Sequence, residues 1–281
     1  WDAVTTGSPF RLVGATLLGI LILFGLFSLS GQDEVFQVLG RIQPAWLGLV
    51  AAAYTGSFLF RTWRYRVLLR TSGQLASRGG VFRCIMSGWF VNFILPARIG
   101  DAVRGMALKT TEDVPFGVAT GMVAVERALD MFVLGLGMVC ITLFLLPESE
   151  MSGLVGGAFA IAAIIIVGLF MVYRFESQLA EVLGKRFPAA SDALAALVTA
   201  LEETSKNPYA LALTALLSVP VWLFEISTLY FSAIAVGVEL SAVVTATTGI
   251  AAFVAQAVPV TPAGIGTYEA TITAVLAGFD I

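Results

Sequence analysis

Asn92-Phe93-Ile94-Leu95-Pro96-Ala97-Arg98-Ile99-Gly100-Asp101 and, 166 residues on from Pro96, Pro262-Ala263-Gly264-Ile265-Gly266-Thr267 decide how the rest of the sequence is read. Each contains Pro-Ala-x-Ile-Gly, and each follows a short apolar run. Proline removes an amide donor and clashes with the turn before it, while glycine admits left-handed backbone, so a regular helix is not expected to run through either segment. A short apolar helix, a break and a resumed helix form the pattern of a discontinuous membrane helix, whose freed backbone groups are tolerated where they line a cavity. The predicted breaks lie at Pro96 and Gly100 in the first segment, and at Pro262, Gly264 and Gly266 in the second.

The composition places these breaks in a membrane. Of 281 residues 58% are hydrophobic and 12% charged, against about a quarter charged in soluble domains. Apolar runs of a length that crosses a hydrocarbon core of about 30 Å recur along the chain. The formal charge of -3 excludes a generally basic nucleic-acid binder. There is no histidine, which removes the commonest general base and the usual imidazole metal ligand. Cys84 and Cys140 lie on separate apolar segments and read as packing residues. No Walker spacing occurs. No cofactor, metal site or catalytic constellation is therefore expected, and the fold class is an all-α polytopic membrane protein.

Spans are predicted from about Arg11 to Ser30, from Trp46 to the cluster Arg61, Arg64, Arg66 and Arg70, within Phe116 to Leu146, from Gly153 to Tyr173, and from Tyr209 to Val236. Asp33 and Glu34 read as a polar loop, and the arginines of the second span as snorkelling toward one interface. Val81 to Pro96, interrupted by Ser87, Gly88 and Asn92, is too short to cross as helix and reads as re-entrant. Pro147, Glu148 and Glu150 end the third span. Leu194, Leu197, Val198 and Leu201 repeat at helical spacing, as in a helix on the interface or one covering its own loop. Asn207-Pro208 supplies a cap and a first-turn proline for the fifth span. Pro220 lies within it and reads either as a kink that opens a cavity or as one tolerated without function. A last apolar stretch begins at Leu240 and resumes after the second break at Glu269.

With the N-terminus inside, every basic residue except Arg41 and Arg127 falls on inner loops or inner span ends, which fixes a multi-pass cell-membrane topology with a cytoplasmic N-terminus. Three spans precede the outer loop at Pro147, so the second half starts from the opposite face. The domain reading is a first transmembrane repeat over 1–150 and a second, inverted repeat over 151–281. Trp1 and Ile281 read as trimmed ends, with one further span expected after Ile281.

At Asn92 to Asp101 with Arg104, at Glu126-Arg127 with Asp130, and at Pro262 to Gly266 leading to Glu269, the chain resembles the flippase-like transmembrane domain of lysylphosphatidylglycerol synthases and their stand-alone relatives. The resemblance covers most of the chain. It implies an integral-membrane domain that moves a lipid between leaflets, either an aminoacylated phospholipid or a polyprenyl-phosphate-linked sugar. Asp101 stands where the family often has Glu, which shortens its reach. No aminoacyl-transfer domain follows the membrane part here, so synthase activity is not carried over.

A lipid transporter must hold a charged headgroup where an unpaired charge costs several kcal/mol, and arginine binds phosphate through a planar fork that stays charged. The candidate substrate-binding residues are Asn92, Arg98, Asp101, Arg104, Glu126, Arg127, Asp130, Glu225 and Glu269. Glu126 and Asp130 share a helical face, with Arg127 beside it, either as a closed ion-pair network or as a headgroup clamp. Glu225 lies deep in the fifth span, as a proton-coupling acid or a structural partner, and Glu269 is placed to face Arg98. The run from Arg61 to Arg83 reads as topology and attraction to anionic lipid, or as headgroup capture. Membrane lipids are the expected partners, with a homo-oligomer open and nucleic acid excluded. Two rival classes remain: the membrane half of an aminoacyl- or glycosyl-transferase, and a non-transporting envelope scaffold.

Overall fold

The apolar runs fold as helices, and among the described residues there is no strand. The computed structural model describes residues 9–29, 32–40, 42–95, 98–145, 188–257 and 261–281. In chain order the helices are α1 (Pro9–Leu29), α2 (Gln32–Gly40), α3 (Pro44–Thr71), α4 (Arg78–Ile94), α5 (Ile99–Glu112), α6 (Phe116–Phe144), α7 (Pro188–Ser205), α8 (Pro208–Ala235), α9 (Ala242–Ala257), a 3-10 turn (Pro262–Gly264) and α10 (Thr267–Ala277). Helices α6 and α8, of 29 and 28 residues, are long and apolar enough to cross a membrane. At 1.5 Å per residue each extends more than about 40 Å, beyond the hydrocarbon thickness.

Two expectations are corrected. The segment read as a polar loop around Asp33 and Glu34 is the short helix α2. Phe36 of α2 meets the Phe27 ring of α1 edge-on at 6.3 Å between centroids. The arginines at the end of α3 also do not act as one snorkelling group. Ser57, Arg61, Arg64 and Leu68 follow one another at three- and four-residue steps and, with Tyr65, form a buried face, whereas Arg70 is exposed. The fourth predicted span, together with Pro147, Glu148 and Glu150, lies outside the described residues, as do Pro96, Ala97 and Pro259.

Packing groups the chain into two units, each drawing on both sides of residue 150: Trp1–Tyr54, Gly88–Gly100 and Phe224–Ile281 form the first, and Thr55–Ser87 and Asp101–Leu223 the second. In the first, α10 lies against α9, with the Phe253 and Tyr268 rings 5.8 Å apart, and against α1. The start of α3 is tied to the end of α8, because Trp46 stacks on Phe231 at 5.9 Å and the Gln43 N–H donates to the Ala235 carbonyl (3.1 Å).

In the second unit α7 packs along α6, where the Thr204 hydroxyl points at the Met122 sulfur (3.8 Å) and Val198 is buried. Of the predicted apolar face, Val198 is thus buried in this unit, while the side chains of Leu194 and Leu197 lie outside the described residues. Asn207 and Pro208 start α8 as expected, the Asn207 Oδ1 accepting the Ala210 N–H at 3.0 Å. Pro220 lies inside α8, which continues through it. Ser77 begins α4 by accepting the Gly80 N–H, and its own N–H and hydroxyl bind Glu112 at the end of α5 (2.6 and 2.9 Å).

Candidate functional site

Helix geometry puts Glu126 and Asp130 four residues apart on one face of α6, and that face is turned inward: they are 2% and 0% exposed. Their counter-charge comes from α3. Arg64, fully buried, donates through Nη1 to Asp130 Oδ1 (2.5 Å) and to the Ser218 hydroxyl (2.7 Å), and through Nη2 to Glu126 Oε1 (2.5 Å) and Asp130 Oδ2 (3.2 Å). Trp222 Nε1 gives Asp130 Oδ1 a further bond of 3.0 Å. Arg104 of α5 reaches the other oxygen of Glu126 through Nη1 (2.9 Å), and its guanidinium lies 3.6 Å over the Tyr65 ring. The Tyr65 hydroxyl donates to the Ala119 carbonyl (2.7 Å). Arg61 sits 5.3 Å over the Trp222 ring.

Arg127 does not join this cluster. One residue on from Glu126, it projects about 100° around the helix and pairs with Asp101 at the start of α5 (3.3 Å), both side chains about a quarter exposed. Five of the expected residues, Asp101, Arg104, Glu126, Arg127 and Asp130, are therefore organised on α5 and α6 of the second unit, with Arg64 as the member that sequence reasoning missed.

The breaks of the first unit are built differently. Beyond α4 the chain turns at Arg98, which holds a left-handed backbone conformation (φ 54°). Gly264, its counterpart in the second Pro-Ala-x-Ile-Gly segment, has φ 76°. The same position is thus left-handed in both segments, once on arginine and once on the residue that adopts this conformation freely. Arg98 Nη2 donates to the main-chain carbonyl of Gln256 (3.1 Å), one of the last carbonyls of α9, where the helix dipole favours a cation. The Gln256 side chain in turn donates to the Ala263 carbonyl (2.6 Å). A single glutamine therefore receives the first break on its backbone and holds the second with its amide.

The following glycine is bound in a matching way in each segment. The Gly100 N–H donates to Asn92 Oδ1 (2.7 Å), and the Gly266 N–H donates to Glu269 Oε2 (2.7 Å). Asn92 and Glu269 thus hold the two breaks, and the expected approach of Glu269 to Arg98 gives way to a carboxylate folded back as the cap of α10. Gly100 packs so closely that a Cβ would overlap the Gly88 carbonyl and the Asn92 carboxamide. Glu225 is buried on α8.

The family model for the lysylphosphatidylglycerol synthase TM region matches residues 12–281. The chain belongs to this family. Among curated proteins it is similar to the glycosyltransferase AglD of Haloferax volcanii, 26% identical over 305 residues that cover 95% of this chain and 48% of that protein. Two UPF0104 membrane proteins of Methanocaldococcus jannaschii are also 26% identical, MJ1078 over 66% of this chain and 79% of its own length, and MJ1595 over 41% and 34%. The chain thus spans about half the length of AglD and a third of MJ1595. No solved structure matches. Membership of a transmembrane family agrees with the all-helical fold, and the protein is a membrane protein.

The signal that could have found Arg64 is the three- and four-residue spacing of Ser57, Arg61, Arg64 and Leu68, which marks one helical face and separates these arginines from Arg70.

Proposed function

We propose that the protein is a lipid transporter of the cell membrane, N-terminus cytoplasmic, that moves an anionic-headgroup lipid between leaflets, with its two halves related as inverted repeats. The observation that carries this reading is Arg98: a half-buried guanidinium, held in a helix break by a left-handed backbone that its repeat counterpart leaves to glycine. Left-handed backbone costs a non-glycine residue roughly 1–2 kcal/mol, and such conformations cluster where a side chain is needed for function. Arginine at a break meets the need of a phosphate headgroup that must leave water: two parallel donors and a charge that does not titrate.

The Arg127–Asp101 pair, partly open, is a second element that a headgroup phosphate can engage by replacing the carboxylate. The Arg64, Glu126 and Asp130 cluster is buried and joins α3 to α6, and in this reading it supports these helices. The glycosyltransferase name of the Haloferax volcanii relative favours a sugar-bearing polyprenyl phosphate as cargo. It also supports the second reading, in which this membrane region works with a transferase domain.

The test is leaflet exchange in reconstituted proteoliposomes with labelled anionic phospholipid and polyprenyl-phosphate probes, comparing the unmodified chain, Arg98→Ala and empty liposomes. Exchange above the empty-liposome rate, lost in Arg98→Ala, is expected. Folded protein that accelerates neither probe overturns the transporter reading.

A further inference from the structure

The ends of α3 and α8 that meet in the second unit leave a cavity of about 200 Å³ lined by Val67, Arg70, Thr71, Asn207, Tyr209, Ala210 and Leu213. Its floor is apolar and built into the core: Val67 and Ala210 are buried, and with Leu217 they form one cluster against which Leu213 and Phe60 pack. Its rim is polar, with Arg70 and Asn207 exposed. Tyr209 stands 78% exposed beside them, in the manner of the aromatic residues that mark the headgroup level of a bilayer.

Thr71 and Asn207 are already committed locally, to the Leu68 carbonyl and the Ala210 N–H. The neighbouring acid, Glu203, hydrogen-bonds Ser72. Arg70 forms no ion pair or side-chain hydrogen bond among the described residues. Arg66 stands one turn earlier on α3, where Arg70 and Arg78 act on it as like charges and Glu112 as the opposing acid, so the rim carries a local excess of positive charge.

We infer that this groove holds one anionic phospholipid of the leaflet that faces this end of α3 and α8, its phosphate on Arg70 and the start of an acyl chain along Val67, Ala210 and Leu213. The chemistry of the site has two halves that match a lipid and nothing smaller: a guanidinium without an ion pair at the rim, and an apolar slot whose Leu213 shares its helix with the exposed Leu216 and Leu223. A free phosphate would leave the apolar slot unfilled, and a neutral lipid would leave the guanidinium without a partner. This site lies outside the helix breaks and does not depend on whether the chain moves lipid.

The experiment is native mass spectrometry of the full chain in detergent, titrated separately with dioleoyl phosphatidylglycerol and dioleoyl phosphatidylcholine. The unmodified protein is expected to retain one phosphatidylglycerol in preference to phosphatidylcholine. Arg70→Gln should weaken phosphatidylglycerol binding about fivefold, as expected for one arginine at a lipid headgroup. Leu213→Trp, which fills the slot, should lower retention of the glycerol lipid while leaving Arg70 in place. Arg83→Gln, an exposed arginine of the same basic run away from the groove, should leave retention unchanged. Equal retention of both lipids by the unmodified protein overturns the site. So does a loss in Arg83→Gln as large as that in Arg70→Gln, since a diffuse basic field would then account for binding.

Discussion

Arg64 and Arg98 are both arginines of membrane helices or their breaks, and the protein treats them in opposite ways. Arg64 stands on regular helix, is fully buried, and has both terminal nitrogens saturated by Glu126, Asp130 and Ser218. Arg98 stands on left-handed backbone, is half-buried, and donates to the main-chain carbonyl of Gln256. A charge held by two carboxylates at no backbone cost is a structural fastener, whereas a charge kept on left-handed backbone at a helix break is the one the proposed function assigns to the headgroup.

The sharpest way to break this contrast is to remove the fastener. Arg64→Met leaves Glu126 and Asp130 buried with their main counter-charge gone, and should destabilise the protein by about 3–5 kcal/mol. Thermal unfolding in detergent reads this directly, and a loss under about 1 kcal/mol would remove the structural role assigned to Arg64. A smaller but still large effect is expected at the first break: Gly100→Ala drives a methyl into the Gly88 carbonyl and the Asn92 carboxamide, at a cost of about 1–3 kcal/mol. Next comes Gly264→Ala, where φ 76° and a Cβ placed 2.5 Å from the Gln256 Cγ combine to cost about 1–2 kcal/mol. Because the clash adds to it, the loss is an upper bound on the backbone penalty which Arg98 carries at the equivalent position. If Gly264→Ala unfolds no earlier than the unmodified chain, left-handed backbone is not costly here and the argument from strain loses its basis.

Much of this was legible in the sequence, and the omissions have physical causes. The helices and both breaks follow from apolar runs interrupted by proline and glycine, and the Glu126 and Asp130 face follows from four-residue spacing. The role of Arg64 was not legible as part of an arginine run, because its partners lie 62 and 66 residues away and only tertiary packing brings them in. Local spacing carries no information about that distance. The role of Glu269 was legible in principle. Gly266 followed three residues later by Glu is a helix-start pattern, but the same glycine also marks the break, and the carboxylate was assigned to a partner across the break when its nearest donor was its own helix start. The short helix α2 was hidden because its nine residues open on Gln32-Asp33-Glu34 and end at Gly40, as a polar linker would, although Val35, Phe36, Val38 and Leu39 follow helical spacing, and contact of Phe36 with Phe27 helps to fix it.

The most direct test of the central claim is Arg98→Gly, measured twice on the same preparation, for thermal stability and for lipid exchange in proteoliposomes. Glycine relieves the left-handed backbone while the bonds of the guanidinium are lost, that to the Gln256 carbonyl among them, effects of about 1 kcal/mol each and opposite sign. The account predicts a stability within about 1 kcal/mol of the unmodified chain, together with exchange reduced at least about tenfold, toward the empty-liposome rate. Exchange retained in a stable Arg98→Gly protein would contradict it, and would leave Arg98 as a cap on α9 with no part in binding a headgroup.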